Sequence, residues 1–443
     1  MIASAALLVA GCSGGGAGQG GTGGQGSSTK KVSQSAIDKA MSTPTTLTFW
    51  TWVPKIQNEV KLFEQKYPKI SVKVVNVGQG ADQYRKLRTV LKAGKGAPDV
   101  VQIEYQYLSS FVLGDNLLDL APYGADKIKS QYQEWIWSQV SRNGAVYGIP
   151  QDTGPMGLLY RKDLLEKAGI QPPATWDAFA KASVAYHKKN PNSYLTDLPG
   201  NDPGEFIGLL WQNGARPFSY DGQKTVSIEL DSPKVTKVSD YWTKLIGTGS
   251  VATDPDFTDA WYQGLAKGKY ASWLTAAWGP VFLQGTAKNT SGLWRATKLP
   301  QYPGSQEASG NWGGSTDAVV KGTQHEIAAA QLAMWINTNH ESALQLATKQ
   351  FLFPSSSKVL QDPTFLNQKS DFYGGQQVNK EFADINKTVS KDFGWLPFTD
   401  YVYSSFNETV GKAIADRGDV TAAVKTWQGK LVTYAKQQGF TVK

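Results

Sequence analysis

The sequence of 443 residues is long enough for two or three globular units, and its 12% aromatic residues exclude disorder over most of the length. No apolar run approaches the roughly 18 residues that span a bilayer. One Cys excludes an intramolecular disulfide, three scattered His leave little for a metal site, and the net charge of +8 is too evenly spread for a nucleic-acid partner.

The first segment has the pattern of a bacterial lipoprotein signal. Residues 2–10 are apolar and Gly11-Cys12 follows, so residues 1–11 are predicted to be a signal-peptide remnant and Cys12 the lipidated residue. No Lys or Arg precedes the apolar stretch, and we expect the true start to lie upstream. Residues 12–43, Gly-rich at first, are predicted to form a tether with a reach of roughly 30 Å. The alternative is a disordered N-terminus with a stray Cys.

The folded part is expected to begin near Thr46 and to alternate strands with helices. Strands are predicted over residues 46–52, 70–77, 99–104 and 156–160, and helices over 56–67, 82–92, 163–168 and from Thr175 onward. A β-hairpin is predicted over 218–230, with helices over 234–247, 257–267, 326–338 and most of 405–438. This alternation predicts parallel sheets with crossover helices, and a ligand site beyond the carboxyl ends of the strands.

Several short motifs carry a family resemblance. They are F-W-T-W at 49–52, F-E-Q-K-Y-P at 63–68, G-A-P-D-V-V at 96–101, L-G-D-N-L-L-D-L at 113–120, Y-G-I-P at 147–150 with L-Y-R-K-D-L-L at 159–165, P-A-T-W-D-A-F at 173–179, and G-K-Y-A-S-W at 268–273. In order and spacing the chain resembles the extracellular solute-binding proteins of carbohydrate ABC transporters, the group that includes maltose-binding protein.

The resemblance implies an α/β fold of the type II-like periplasmic-binding-protein kind. Two lobes, each a mainly parallel sheet flanked by helices, would hold a sugar in the cleft between them. The chain would cross between lobes near 151–154, 313–315 and 354–357. The first lobe would comprise residues 44–152 plus 313–355, and the second lobe 153–312 plus 356–443.

The function implied is that of a lipid-anchored receptor on the extracellular face of the bacterial cytoplasmic membrane. It would bind an oligosaccharide as a monomer and deliver it to the permease subunits of an ABC transporter, without catalysis, cofactor or metal. A surface glycan-binding adhesin or lectin is the first alternative. A glycoside hydrolase is the second, although G-x-S-x-G, Walker A and H-E-x-x-H motifs are absent. The identity of the sugar stays open, and the net charge of +8 is compatible with a uronic acid.

A sugar offers apolar ring faces and a fringe of hydroxyls, so its site needs aromatic platforms and polar side chains. The 15 Trp supply more platforms than packing requires. Trp50 and Trp52 point to opposite faces of a regular strand, and Trp52, at the strand's end, is favoured for the cleft. Glu104 and Tyr105 end the strand 99–104, where the family places a polar sugar contact. Glu104 could instead cap a helix or form an ion pair.

Asp152 follows the Y-G-I-P motif, where it would either accept sugar hydroxyls or cap a turn. Trp278 lies in a small-residue loop and Trp312 between glycines that should leave it exposed, so both are predicted platforms. The reserve candidates, more often core than site, are Trp211, Trp261, Trp273 and Trp395. Six Trp on helical patterns are predicted to pack: Trp135, Trp137, Trp176, Trp242, Trp335 and Trp427. Residues 254–256 (D-P-D) are predicted to be a solvated turn rather than a calcium site.

Overall fold

The computed structural model describes residues 31–443. The predicted signal peptide, the predicted lipidation site Cys12 and the start of the predicted tether lie outside the described residues. Within them, no helix is long and apolar enough to cross a bilayer.

The described chain alternates strands and helices, as the sequence pattern predicts. The strands are β1 (Thr45–Trp50), β2 (Ile70–Val75), β3 (Val100–Glu104), β4 (Ser141–Arg142), β5 (Ala145–Val146), β6 (Ile149–Pro150), β7 (Met156–Arg161), β8 (Phe218–Tyr220), β9 (Thr225–Ile228), β10 (Ser272–Ala276), β11 (Trp294–Lys298), β12 (Ser315–Val319) and β13 (Thr441–Val442). The helices are α1 (Gln34–Met41), α2 (Gln57–Lys66), α3 (Ala81–Ala93), α4 (Tyr105–Leu113), α5 (Glu134–Val140), α6 (Lys162–Ala168), α7 (Trp176–Lys189), α8 (Pro203–Gln212), α9 (Pro233–Gly247), α10 (Asp259–Lys267), α11 (Gly279–Thr286), α12 (Glu326–Thr338), α13 (His340–Lys349), α14 (Ser357–Leu360), α15 (Pro363–Leu366), α16 (Val378–Asn386), α17 (Thr399–Phe406), α18 (Lys412–Ala415) and α19 (Val420–Gln437).

The folded body begins earlier than the expected start at Thr46. Helix α1 starts at the N-cap Ser33, whose hydroxyl accepts a hydrogen bond from the Ala36 amide at 3.2 Å. The helix packs against α12 and buries Met41. Residues 33–43 therefore belong to the folded body, and the tether predicted over 12–43 is wrong at its end. Because α1 has only eight residues, its amphipathic pattern is too short to predict a helix from the sequence.

The first lobe is built on a five-stranded sheet in the order β2-β1-β3-β12-β6. Strands β1, β2 and β3 are parallel, as predicted, whereas β12 runs antiparallel to β3 and pairs Ser315 with Glu104. The carboxyl ends of β1 and β3 thus lie at the same edge as the start of β12. Any ligand site on this lobe is expected at that edge.

The second lobe departs from the expected parallel sheet. Its central sheet has the order β10-β7-β11, and both outer strands run antiparallel to β7. The prediction of a mainly parallel sheet is wrong here because the pattern revealed β7 but neither partner. Those partners return after long helical excursions instead of following one crossover helix. The hairpin expected over 218–230 is confirmed as β8 and β9, and β13 extends it.

Three segments run side by side between the two sheets. The Gln151 amide donates to the Ser315 carbonyl at 2.9 Å, and the Thr153 amide donates to the Phe353 carbonyl at 3.0 Å. The segment 151–155 is therefore the middle of the three, and the segment 351–356 lies at the edge remote from β3. We call these, with 310–315, the crossing segments.

Most of the predicted packing Trp lie in the core. Among the six placed on helical patterns, Trp335 is half-buried. The five that are buried are Trp135, Trp137, Trp176, Trp242 and Trp427.

Candidate functional site

The first lobe presents the ends of β1 and β3 to the second lobe. Trp50, the last residue of β1, is buried in the core, whereas Trp52 is half-buried and meets the Tyr84 ring edge-on at 6.4 Å. The loop carrying Trp52 is held by Gln102, whose Oε1 accepts from Thr51 Oγ1 at 2.7 Å and from the Trp52 amide at 3.1 Å. Trp52 therefore has a fixed position beside the end of β3.

Glu104 is the polar group at this edge. Its Oε2 accepts a hydrogen bond from the Tyr84 hydroxyl at 3.0 Å, and its amide donates to the same hydroxyl at 2.9 Å. Glu104 occupies the N-cap position of α4 without a side-chain cap bond, and it has no ion-pair partner within residues 31–443. Burial raises its pKa to about 7, with further contributions from the charges of Asp152 and Asp202.

Asp202 faces this edge from the second lobe. It is the N-cap of α8, and its Oδ1 accepts from the amides of Gly204 at 2.6 Å and Glu205 at 3.3 Å. Burial raises the pKa of Asp202 to about 6, and its charge acts on both Glu104 and Tyr107 of the first lobe. The two lobes therefore bring a carboxylate from each side to a common region.

Beside Asp202 stands a cluster of three rings, Phe257, Trp278 and Trp312, which we call the aromatic wall. The Trp278 and Trp312 centroids are 4.8 Å apart and nearly perpendicular, and Trp278 Nε1 donates to the Trp312 carbonyl at 2.8 Å. Phe257 lies 5.9 Å from Trp278 and 6.0 Å from Trp312. The wall thus gathers two segments of the second lobe and the crossing segment 310–315.

Trp312 is only 7% exposed, so the expectation of an exposed ring is wrong. The glycines next to it in sequence do not decide its burial. Its indole lies against Gly204 at the start of α8, where a Cβ would come within 2.4 Å of Nε1. Gly204 therefore makes room for Trp312 and sets it next to Asp202.

Phe257 is the most exposed ring of the wall, and Trp278 is half-buried. Its ring is 40% exposed and its backbone has a φ of 56°, a left-handed conformation that costs energy in a residue with a bulky side chain. The reserve candidates Trp261 and Trp273 lie behind it, both buried, with their rings 5.0 Å apart. They support the wall as a second layer.

Tyr105 and Asp152 hold the crossing segments together. The Tyr105 ring is buried, and its hydroxyl donates to the Asp152 carbonyl at 2.9 Å, so this side chain links crossing segments and its role as a ligand contact stays a prediction. Asp152 Oδ1 accepts from both the amide, at 2.9 Å, and the hydroxyl of Ser315. Burial raises the pKa of Asp152 to about 6. Its carboxylate fastens the first crossing segment to the second.

Trp211 and Trp395 lie away from the wall. Trp211 stacks on Phe393 at 4.2 Å and donates to the Ser390 carbonyl at 2.7 Å. Trp395 donates to Gln139 at 2.8 Å. Both rings are buried against other aromatic residues, so neither has a free face for a ligand.

Three further carboxylates are buried near Asp202. Asp256 is 2% exposed, and neither of its carboxylate oxygens receives a hydrogen bond of standard geometry, so the prediction of a solvated turn is wrong. Burial and the charge of Asp202 raise the pKa of Asp256 to about 8, and burial raises the pKa values of Glu205 and Asp197. We call Asp197, Asp202, Glu205 and Asp256 the acidic quartet. In residues 31–443 no such group is arranged to hold a metal ion.

Comparison with known proteins gives the family. The profile described as "Bacterial extracellular solute-binding protein" matches residues 50–340. The chain belongs to this family. It is 23% identical to the arabinooligosaccharide-binding protein of Halalkalibacterium halodurans, over 84% of this chain and 85% of that protein. It is 28% identical to the lactose-binding protein of Rhizobium radiobacter, over 76% of this chain and 81% of that protein.

Solved structures of solute-binding proteins share the two-lobe fold. An ABC transporter-associated binding protein of B. animalis subsp. lactis, in complex with β-1,6-galactobiose, is 30% identical with a TM-score of 0.77, covering 90% of this chain and 99% of that one. The galacto-N-biose-/lacto-N-biose I-binding protein of Bifidobacterium longum, in complex with lacto-N-biose, is 25% identical with a TM-score of 0.79, covering 90% and 98%. The relatives are solute-binding proteins rather than enzymes.

Sequence reasoning missed Tyr84, Asp202 and Phe257 in this solute-binding protein. Asp202 could have been found, since Asp-Pro with Glu three positions after the Asp is a typical helix start. Such a start places a carboxylate at a lobe's edge. The position of Tyr84 on its helix predicts a core residue. Phe257 follows the D-P-D segment at 254–256, which the sequence predicts to be a polar turn.

Proposed function

We propose that this solute-binding protein binds a short oligosaccharide between Trp52 and Glu104 of the first lobe and Asp202 and the aromatic wall of the second. The observation that carries the proposal is the wall itself, which sets aromatic rings beside hydrogen-bond-accepting carboxylates from both lobes. Apolar ring faces of a sugar pack on such rings while its hydroxyls donate to the carboxylates.

The delivery part of the proposal rests on the family. Relatives bind arabino-oligosaccharides and lactose, and structural neighbours hold β-1,6-galactobiose or lacto-N-biose. The protein would pass its sugar to the permease of an ABC importer and would not cleave it. Lipidation at Cys12 would keep it, as a monomer, on the extracellular face of the cytoplasmic membrane. The lobes would comprise residues 44–152 plus 313–355, and 153–312 plus 356–443.

Calorimetry with four probes tests the binding: lactose, β-1,6-galactobiose, lacto-N-biose and arabinotriose. We expect at least one to bind with a Kd of about 1–100 µM and to raise the melting temperature. Chromatography after prolonged incubation should return that sugar intact. Failure of these probes and of a broader neutral glycan panel would refute the proposal, and cleavage products would refute its non-catalytic part.

Small-angle scattering separates a transport receptor from a lectin. Lobe closure around the bound sugar should lower the radius of gyration, because closure is driven by contacts that form only in the closed state. An unchanged radius at saturating sugar would favour a rigid glycan-binding lectin.

A further inference from the structure

The region between the lobes carries charge of one sign. Glu104 of the first lobe is influenced by the charges of Asp152 and Asp202, and neither Glu104 nor Asp202 forms an ion pair within residues 31–443. The other titratable groups facing it are phenols, since Tyr84 donates to its carboxylate and the hydroxyls of Tyr107 and Tyr403 are influenced by its charge. Phenols are neutral at physiological pH and leave the negative charge uncompensated.

Behind Asp202 the second lobe buries three more carboxyl groups, but burial raises their pKa values, that of Asp256 to about 8, so near pH 7 they add little negative charge. Asp202, with a pKa of about 6, is the mainly ionised member of the quartet. Glu205 is influenced by three other carboxylates, those of Asp256, Asp197 and Asp202. Lys269 acts weakly on Asp197. It is itself bound to Asp254 at 2.7 Å.

The cation nearest the first-lobe side is also occupied. Arg88 acts on Tyr107 but forms an ion pair with Asp400 at 2.7 Å. A ligand entering beside Glu104 and Asp202 therefore meets carboxylates, phenols and rings, and the two cations named above, Lys269 and Arg88, each have an acidic partner.

We propose that this cleft selects its ligand by charge: it takes neutral oligosaccharides and amino sugars, and rejects sugars that carry a carboxylate or sulfate. The inference rests on the proposed function and narrows its substrate class. The net charge of +8, taken alone, is compatible with a uronic acid, so this proposal differs from what the net charge suggests. The basic excess therefore lies outside the cleft.

Hydrogen-bond chemistry also favours neutral sugars and amino sugars over acidic sugars. A sugar hydroxyl donates to a carboxylate in a charge-assisted bond, and an ammonium group adds ionic attraction to that bond. A uronate places a third carboxylate beside Glu104 and Asp202, neither of which has a cationic partner in the part of the chain that the structure describes. Rejection then follows from like-charge repulsion in a partly desolvated site.

A chemical probe measures the charge without any ligand. Cys12 is the only cysteine in the sequence, so a Cys12→Ser background carrying Phe257→Cys has one thiol, at the exposed part of the wall. We expect a cationic methanethiosulfonate to react faster than an anionic one, by about tenfold or more. Adding Glu104→Gln and Asp202→Asn should reduce this preference.

The control is Phe351→Cys in the same background. Phe351 is likewise exposed with a φ of 60°, but it borders a cavity of about 670 Å³ whose charged lining residues are Lys288, Lys369 and Asp371. There the cationic preference should be absent or reversed. Equal cation-to-anion ratios at positions 257 and 351 would overturn the inference.

Thermal shifts with charged sugars give the second test. Digalacturonate and a sulfated galactose disaccharide should leave the melting temperature unchanged, and a rise with either would overturn the inference. Failure of every neutral sugar would instead overturn the proposed function, and the reagent ratios would still decide the charge of the cleft.

Discussion

The two sides of the cleft are built in different ways. On the first lobe, Trp52 and Glu104 stand at the ends of adjacent parallel strands, so the sheet itself positions them. On the second lobe, the wall comes from three separated segments that meet over the start of α8. One side is fixed by backbone pairing and the other by side-chain packing. Substitutions should therefore separate binding from folding on the first side and at the exposed Phe257 of the second, and combine them at the buried Trp312.

Trp312→Ala should give the largest effect. Since Trp312 is 7% exposed and packs on Trp278 and Gly204, its removal should cost about 3–5 kcal/mol of unfolding free energy as well as sugar affinity. Trp52→Ala, on the half-buried ring of the first lobe, should cost less than about 2 kcal/mol while also weakening binding. Urea denaturation and calorimetry measure both quantities. Equal losses of unfolding free energy in Trp312→Ala and Trp52→Ala would contradict the proposed difference between the two sides.

Gly204→Ala tests the contact between Gly204 and the Trp312 indole from the Gly204 side. Its Cβ would lie 2.4 Å from Trp312 Nε1 and 2.9 Å from Asp202 Oδ1, so the indole must move and we expect a loss of about 1–3 kcal/mol. Gly285→Ala in α11 is the matched control, because a Cβ there meets nothing within 4 Å. It should be neutral or stabilise the protein by up to about 1 kcal/mol. If the two alanines behave alike, Gly204 does not set the position of Trp312.

These contacts show what the sequence could predict. Trp52 and Glu104 follow from a strand–helix alternation, because ligands lie beyond the carboxyl ends of parallel strands. The burial of Trp312 could not be inferred, because it depends on Gly204, a residue distant in sequence. Residue spacing predicts strands and the amphipathic faces of helices. Contacts between loops that are distant in sequence depend on three-dimensional packing and are not predicted by spacing.

The antiparallel second sheet was missed for a similar reason. Strand β10 is short and buried throughout, and β11 is equally short with only Trp294 and Ala296 buried, and runs this short do not reveal their direction or their partner. The hairpin of β8 and β9 was predictable, since Asp221-Gly222 marks a local turn. Local pairings were therefore predicted and distant ones were not.

The acidic quartet, which lies in the second lobe, predicts that the stability of the protein depends on pH. The pKa of Asp256 is raised to about 8, so its stabilising contribution is complete below its unfolded pKa and is lost as pH rises through about 8. Asp202 acts in the same sense at lower pH, since its pKa is raised to about 6. The melting temperature without sugar should therefore fall by about 2 °C or more between pH 5 and pH 8.5.

Asp256→Asn should flatten that pH profile, and Asp254→Asn is its control. Asp254 is bound to Lys269, and the pKa of Asp254 is lowered by its hydrogen bonds to Lys269 and Tyr270, although burial acts in the opposite direction. Its removal should leave the slope between pH 5 and pH 8.5 in place. A profile that stays equally steep in Asp256→Asn would place the titrating groups elsewhere, for example at Glu104 on the first side, where the pKa is about 7.

Phe257→Gly should change stability least, by less than about 1 kcal/mol, because glycine relieves the left-handed backbone while the lost ring is 40% exposed. Sugar affinity should nevertheless fall by about tenfold, since the exposed part of the wall disappears. Phe351→Gly has the same backbone conformation and should leave affinity unchanged. An affinity loss confined to Phe257→Gly would show that one ring of the second side serves the ligand alone, as Trp52 does on the first. Unchanged affinity would leave the wall with a purely structural role at that position.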